Sequence, residues 1–164
     1  QTLRSKLRDV VNLNHATGLL SWDQQTHMPP GGAEARAEQL ATLSKISHQM
    51  FTSDEIGQLL EALSGANFDY DSDEAALVRA VRRDYDQARK LPPQLVEEMS
   101  RTFSLGQQVW VKARAEKDFS QFQEVLEKIV GLNIQVAEAL GYEEEIYDAL
   151  LDQYVPGMKT SEVA

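Results

Sequence analysis

The sequence predicts an all-α fold, an irregular antiparallel bundle of about six to seven helices. Apolar residues recur at three- and four-residue steps along the whole chain, and no alternating β-branched run is bounded by hairpin turns. Pairs of proline or glycine residues interrupt the periodic pattern at residues 29–32, 92–93 and 156–157. With 164 residues the chain is long enough to bury a core, so we expect one helical domain over residues 1–164.

The first two helices are predicted on either side of a proline-rich corner. The first extends from about Thr2 to Asp23, and Gly18 inside it costs about 1 kcal/mol relative to alanine, which suggests close packing at that point. The second begins after Gly32 and ends near Met50. Five of its residues are expected to face inward at helical spacing, namely Ala37, Leu40, Leu43, Ile46 and Ser47.

A third and a fourth helix follow, each with its own boundary signals. Thr52-Ser53-Asp54-Glu55 has the pattern of a capping box, so we expect a short helix that starts there and closes at Gly65. Residues 66–73 are the most loop-like stretch of the chain. The fourth helix is expected to end before Pro92-Pro93, because proline disfavours a helical conformation in the residue before it.

The fifth helix has the longest apolar stripe of the chain. Its members are Leu95, Met99, Phe103, Gly106, Trp110 and Ala113. Because Phe103 and Trp110 fit this stripe, we interpret them, together with Phe119 and Phe122, as core aromatics and not as a ligand cage.

Two further helices complete the predicted bundle. Asp118 and Ser120 offer N-caps for a sixth helix, and Gly141 suits its C-terminal end. A seventh helix is expected from about Ile146 to Tyr154, before a Pro-Gly pair.

Composition excludes several classes of partner and site. Sixteen Lys and Arg against 26 Asp and Glu give a formal charge of -10, which disfavours nucleic acid and anionic membranes because binding would begin with repulsion. There is no cysteine, so disulfides, thiolate nucleophiles and thiolate metal sites are unavailable. No stretch has the ~20 apolar residues of a membrane span. We therefore expect a soluble, cytoplasmic protein without a nucleic-acid or membrane partner.

The corner between the first two helices is the most distinctive part of the sequence. Leu19-Leu20-Ser21-Trp22-Asp23-Gln24-Gln25-Thr26-His27-Met28-Pro29-Pro30-Gly31-Gly32 leads into an alanine-rich helix with Arg36. This stretch resembles the N-terminal region of the carboxypeptidase Taq family of zinc metallocarboxypeptidases. The segments at residues 110–122 and 147–158 agree with it, so the resemblance covers nearly the whole chain.

The resemblance implies a metal-dependent carboxypeptidase, usually a homodimer, that removes single C-terminal residues from peptides. In that family zinc is held by a His-Glu-x-x-His helix whose glutamate acts as general base. This chain has no such motif, because its three histidines are followed by Ala16, Met28 and Gln49. We therefore expect the N-terminal part of a larger helical metallopeptidase, inactive alone, with zinc bound by the remainder of the polypeptide and no metal bound here.

Five residues at the corner are candidates for contact with a peptide substrate: Trp22, Asp23, Gln24, Thr26 and Arg36. An Asp23–Arg36 ion pair would fix the corner, and we favour that structural role over substrate contact. The corner as a whole, supported by Trp22, is hypothesised to line the substrate groove of the full enzyme.

Two other functions stay open on the sequence. One is a non-catalytic helical module that presents an acidic surface to a partner protein. The other is a catalytic bundle that uses Asp23, His27 and a distant carboxylate. Two residues at a four-residue spacing do not supply the three or four ligands of a zinc site, so the second alternative has little support.

Overall fold

The computed structural model describes residues 2–163, and helices form most of this part of the chain. They are α1 (Leu3–Thr26), α2 (Ala33–Phe51), α3 (Asp54–Ser64), α4 (Asp73–Ala88), α5 (Pro93–Glu116), α6 (Ser120–Leu140), α7 (Ile146–Leu151) and α8 (Thr160–Val163). One 3-10 turn, Pro30–Gly32, precedes α2. Since residues 2–163 contain no strand, the all-α prediction is confirmed.

Four long helices lie side by side in the order α1, α2, α5, α6. The contacts between α2 and α5 are the most extensive, followed by those of α5 with α6 and of α1 with α2. Two apolar clusters close the ends of this array. One joins α1, α3 and α4 through Leu3, Ile56, Leu60, Val81 and Tyr85. The other joins α6 and α7 through Val136, Ala137, Leu140 and Ala149.

Small residues allow the central helices to approach closely. Ala37 and Ala41 of α2 are 1% and 0% exposed. A Cβ added at Gly106 of α5 would lie 3.0 Å from Val125 Cγ1 and 3.4 Å from Ile129 Cδ1 of α6. This separation of α5 and α6 therefore leaves no room for a side chain at Gly106 without movement of its neighbours.

Two predicted helix boundaries differ from those observed. Helix α1 continues to Thr26, three residues beyond the predicted Asp23, because only the prolines after Met28 stop it. The predicted capping box at Thr52 is wrong. Ser53 is the N-cap of α3 without a side-chain bond, and the Thr52 hydroxyl instead donates to the His48 carbonyl at 2.8 Å.

The predicted boundaries of α6 and α7 agree with the structure in part. The N-cap of α6 is Phe119, without a side-chain bond, so neither Asp118 nor Ser120 is the N-cap as predicted, although the Asp118 carboxylate accepts the Ser120 amide at 3.1 Å. Gly141 ends α6 with φ 82°, as predicted. Helix α7 is shorter than expected, since it ends at Leu151 and turns continue to Tyr154.

The burial of three aromatic residues was predicted wrongly. Phe103, Trp110 and Phe119 are 41%, 42% and 62% exposed, although Phe122 is half-buried. The centre of the α5 stripe is occupied by the small residues Gly106 and Ala113, which are buried. Phe103 and Trp110 lie at the margin of that face because the tight helix packing excludes them from its centre.

Two further expectations about inward-facing positions are wrong. Ile46 of α2 is 40% exposed, because α2 is covered by α1 and α5 and its remaining side is open. Gly18 of α1 is exposed, and a Cβ added there would meet no atom within 4 Å. Nothing in residues 2–163 therefore packs closely on Gly18.

None of the helices in the described part of the chain combines the length and apolarity that crossing a bilayer requires.

The close approach of α5 and α6 predicts different changes in the free energy of unfolding when each of two helical glycines is replaced by leucine. Gly106→Leu should lower the free energy of unfolding by about 1–3 kcal/mol, because the new side chain overpacks against Val125 and Ile129. Gly131→Leu, at a position where a Cβ meets nothing within 4 Å, should leave it unchanged or raise it by up to about 1 kcal/mol. Urea unfolding of the 164-residue chain measures both values. Equal effects of the two substitutions would contradict the packing described.

Candidate functional site

Arg36 of α2 fixes the corner at the end of α1. Its Nη2 lies 2.6 Å from Asp23 Oδ2, its Nη1 donates to the Leu20 carbonyl, and its Nε donates to Gln39 Oε1 at 3.2 Å. The predicted Asp23–Arg36 pair is thus confirmed. One guanidinium contacts the last two turns of α1 and the first turns of α2, which fixes the geometry of the hairpin.

The exposed side of the corner carries the other aromatic and polar candidates. Trp22 is 55% exposed and packs against His27 with ring centroids 5.1 Å apart. The Thr26 hydroxyl donates to the Trp22 carbonyl at 2.8 Å, and His27 Nδ1 lies 2.8 Å from the same hydroxyl oxygen. Trp22, Thr26 and His27 therefore form one surface-exposed group.

The residues present do not form a zinc site. The Asp23 carboxylate is bound to Arg36, and His27 contacts Thr26 and Trp22. Between residues 2 and 163 no three His, Cys, Asp or Glu side chains are grouped so that they could hold a metal ion. Metal chemistry therefore has no ligand set in this part of the chain.

Gln24 is buried and ties α1 to α5. It is 6% exposed, its Nε2 donates to the Ser104 carbonyl at 2.9 Å, and its Oε1 accepts the Ser104 hydroxyl at 3.0 Å. This reciprocal pair satisfies both ends of the amide, as a buried polar side chain requires. The spacing of α1 and α5 above α2 is set at this point.

A groove with polar side chains on both of its walls, called the polar groove below, lies between α1 and α5 next to this pair, although more of its accessible surface is apolar than polar. It has a volume of about 220 Å³. Its lining residues are Thr17, Ser21, Gln24 and Gln25 from α1, Leu40 from α2, and Ser100, Phe103, Ser104 and Gln107 from α5. All its polar side chains are uncharged amides and hydroxyls, each able to donate and to accept a hydrogen bond. Such a lining suits the N–H and C=O groups of a peptide.

Of this lining, sequence analysis proposed only Gln24 as a functional candidate, while Leu40 and Phe103 were assigned to the core. A signal was nevertheless present, because Ser100, Ser104 and Gln107 follow one another at steps of four and three residues. Thr17, Ser21 and Gln24 do the same on α1. A polar stripe at helical spacing on two helices marks two facing polar surfaces, and its interpretation required knowledge of which helices are neighbours.

A network of surface ion pairs joins α2, α5 and α6 outside the groove. The Arg101 guanidinium lies 2.6 Å from Glu38 and also contacts Glu97 and Glu98, while Lys128 of α6 binds Glu98. Hydrogen bonding to Arg101 lowers the pKa of Glu38. These carboxylates are therefore ionised at neutral pH and are engaged by cations, and none of them lines the polar groove.

Comparison with known proteins identifies relatives over the whole described region. The family model for carboxypeptidase Taq (M32) metallopeptidase matches residues 2–164. Thermostable carboxypeptidase 1 of Pyrococcus furiosus is 38% identical over 97% of this chain and 32% of its own length. Thermostable carboxypeptidase 1 of Thermus thermophilus is 35% identical over 99% of this chain and 34% of its own length.

The same relationship holds for solved structures. The crystal structure of BsuCP superposes with a TM-score of 0.91 at 31% identity, over 97% of this chain and 32% of that one. The structure of Pyrococcus furiosus carboxypeptidase gives a TM-score of 0.77 at 38% identity, over 98% and 32%. The chain thus spans about a third of the length of the proteins that it matches.

The Asp23–Arg36 contact predicts a measurable coupling between the two residues. A double-mutant cycle with Asp23→Ala and Arg36→Ala should give a coupling free energy of about 1 kcal/mol, because the pair is partly shielded and charge-assisted. The same cycle on Arg4 and Glu74, whose side chains are 66% and 54% exposed, should give less than about 0.5 kcal/mol. Chemical unfolding of all variants supplies the values. Equal couplings for the two pairs would contradict a structural role of Arg36 at the corner.

Proposed function

Because the chain belongs to the carboxypeptidase Taq (M32) family of metallopeptidases, we propose that it is the N-terminal part of a longer metal-dependent carboxypeptidase. That enzyme would hydrolyse peptides by removing single C-terminal residues. Residues 1–164 would form one helical domain whose polar groove lines the path of the substrate. The observation that carries this role is the uncharged amide and hydroxyl lining of the groove, adjacent to the corner that resembles the family.

The lining suits a peptidase with broad sequence tolerance. Backbone N–H and C=O groups occur in every peptide, and amide and hydroxyl side chains bind them without selecting a side-chain charge. Gln25 is exposed and Gln107 is half-buried, so each has part of its surface accessible on one side of the groove. Phe103 at 41% exposure adds an apolar surface on which a substrate side chain could rest.

The corner residues are assigned complementary roles in this proposal. Arg36 and Asp23 hold the end of α1 in place, and Gln24 sets the width of the groove through Ser104. Trp22 and Thr26 are exposed at the corner, and neither lines the groove itself. In this arrangement Trp22 and Thr26 contact the peptide, whereas the other three residues position the surface that does.

The catalytic metal would be held outside the residues present here. Zinc in such an enzyme polarises the scissile carbonyl and activates water. The residues of this chain would bind the peptide, orient it and exclude solvent from it. We also propose, on the family resemblance, that the longer enzyme is a homodimer and cytoplasmic.

If the metal is bound outside the 164-residue chain, zinc and peptidase activity should be found only in the longer polypeptide. The longer polypeptide should contain about one zinc ion per chain and release C-terminal amino acids from a blocked peptide. The 164-residue chain should do neither. Elemental analysis and amino-acid release measure both properties. Zinc and activity in the 164-residue chain would contradict the proposal, and their absence from both proteins would favour the non-catalytic binding module.

Contact between the polar groove and the substrate predicts a change in KM. In the longer enzyme, Gln25→Ala and Gln107→Ala should each lower kcat/KM by about 2–10-fold, mainly through KM, because each removes roughly one hydrogen bond to the bound peptide. Gln135→Ala, at an exposed position on α6 outside the groove, is the matched control and should leave both constants unchanged. Wild-type kinetics for both groove variants would exclude the groove from substrate binding.

A further inference from the structure

A small pocket near α7 has charged groups of both signs in its wall. It lies between the end of α4, the end of α6, α7 and the turn before α8, and has a volume of about 190 Å³. This is below the roughly 300 Å³ at which pockets for drug-sized ligands begin, so the pocket suits a small molecule. Its charged lining residues are Lys90, Glu143, Asp148, Asp152 and Lys159. None of them lines the polar groove.

One carboxylate of this wall, Asp152, is engaged at both of its oxygens. Its Oδ2 accepts hydrogen bonds from Arg83 Nη2 at 2.8 Å and from the Gln87 side-chain amide at 2.7 Å. Its Oδ1 accepts the backbone amide of Gly157 at 2.8 Å. The Arg83 guanidinium also neutralises its charge. Asp152 therefore fixes the turn that forms one side of the pocket, and its charge does not call for a ligand.

Asp148 of α7 has one oxygen that receives no hydrogen bond. Its side chain is 8% exposed, and its Oδ1 accepts the backbone amide and the hydroxyl of Thr160 at 2.7 and 2.6 Å. The hydrogen bond from the Thr160 hydroxyl lowers the pKa of Asp148, so the carboxylate is ionised at neutral pH. Within residues 2–163 no donor reaches its buried Oδ2. Because a buried charged oxygen without a donor is destabilising, Oδ2 favours a donor supplied by a ligand.

Lys159 satisfies that oxygen only in part. Its Nζ lies 3.6 Å from Asp148 Oδ2 and 3.5 Å from Glu143 Oε2, and both distances exceed the roughly 2.7–2.9 Å of a charge-assisted hydrogen bond. The ammonium group therefore sits between two carboxylates without a direct hydrogen bond to either. Because the Lys159 side chain is 38% exposed, it can turn outward with little loss of packing, and this movement uncovers Oδ2 to the pocket.

The remaining charges of the pocket are balanced. Apart from the neutralised Asp152, there are two ammonium groups and two carboxylates. The second ammonium group is that of Lys90, whose Nζ donates to the Leu140 carbonyl at 2.6 Å and has two further N–H groups to donate. A metal ion is disfavoured, because two ammonium groups would repel it and the described part of the chain groups no three side chains that could hold one. Leu140, Ala149 and Met158 add apolar surface to the wall.

We propose that this pocket binds a free α-amino acid with an apolar side chain, in its zwitterionic form. The ammonium group of the ligand donates to Asp148 Oδ2, and its carboxylate accepts hydrogen bonds from Lys90 and from Lys159 turned away from Asp148. The apolar side chain of the ligand lies against Leu140 and Met158. The site is separate from the polar groove and does not depend on the proposed function, although the hydrolysis proposed there releases molecules of this class.

Ligand analogues test whether both charges are recognised. L-leucine titrated into the 164-residue chain at neutral pH should bind saturably with a Kd of about 0.1–5 mM, as expected for a ligand of this size. L-leucinamide lacks the carboxylate and 4-methylpentanoate lacks the ammonium group. Each should bind at least about 10-fold more weakly, because each leaves a charged side chain of the pocket without its partner. Isothermal titration calorimetry measures the three affinities. No saturable binding of L-leucine, or an analogue that binds as tightly, would overturn the proposal.

Substitutions test whether L-leucine binds in this pocket. Asp148→Asn and Lys90→Met should each weaken its binding by at least about 10-fold, because each removes a charge that the ligand contacts. Lys112→Met, at an exposed position on α5 outside the pocket, is the matched control for Lys90→Met and should leave the Kd unchanged. Circular dichroism shows which variants are folded, and the analogues test the unmodified chain if a variant is not. Unchanged affinity for L-leucine in a folded Asp148→Asn or Lys90→Met variant is the result that contradicts this site.

Discussion

The position of α2 between α1 and α5 is the constraint on which the rest of the structure depends. Helix α2 contacts both neighbours along its length, and the full burial of Ala37 and Ala41 indicates that little side-chain volume separates it from them. Because protein interiors are close-packed, larger residues at these two positions would move the flanking helices apart. The floor of the polar groove and the separation of its two walls both follow from this packing.

Polar contacts between helices then determine how the walls are aligned. Gln24 binds Ser104, and the hydroxyl of Ser47 in α2 donates to Asn14 Oδ1 of α1 at 2.6 Å. A buried polar group left without a partner costs about 1–3 kcal/mol, so a shift of one helix along another would be penalised at each of these contacts. Apolar contacts alone are less directional. The hydrogen bonds therefore give the groove a defined alignment of its polar side chains.

The helices were predictable from sequence because periodicity, prolines and glycines are local signals. The burial of individual residues was less predictable. Phe103 and Trp110 belong to the periodic stripe of α5, yet Gly106 occupies its centre, and only the distance between α5 and α6 decides which of them is buried. The Asp23–Arg36 pair could be predicted because both residues flank one corner. The groove could not, since Ser100 and Gln107 are far in sequence from the α1 residues that they face.

The central claim is that this helical unit forms part of the substrate path of a metallocarboxypeptidase. The most direct test is photo-affinity labelling of the longer polypeptide with a peptide that carries a photo-reactive group near its C-terminus, followed by mass spectrometric mapping of the adducts. Adducts on residues 17–26 of α1 or 100–107 of α5, abolished by excess unlabelled peptide, are the predicted result. Competable adducts found only outside residues 1–164 would contradict the claim.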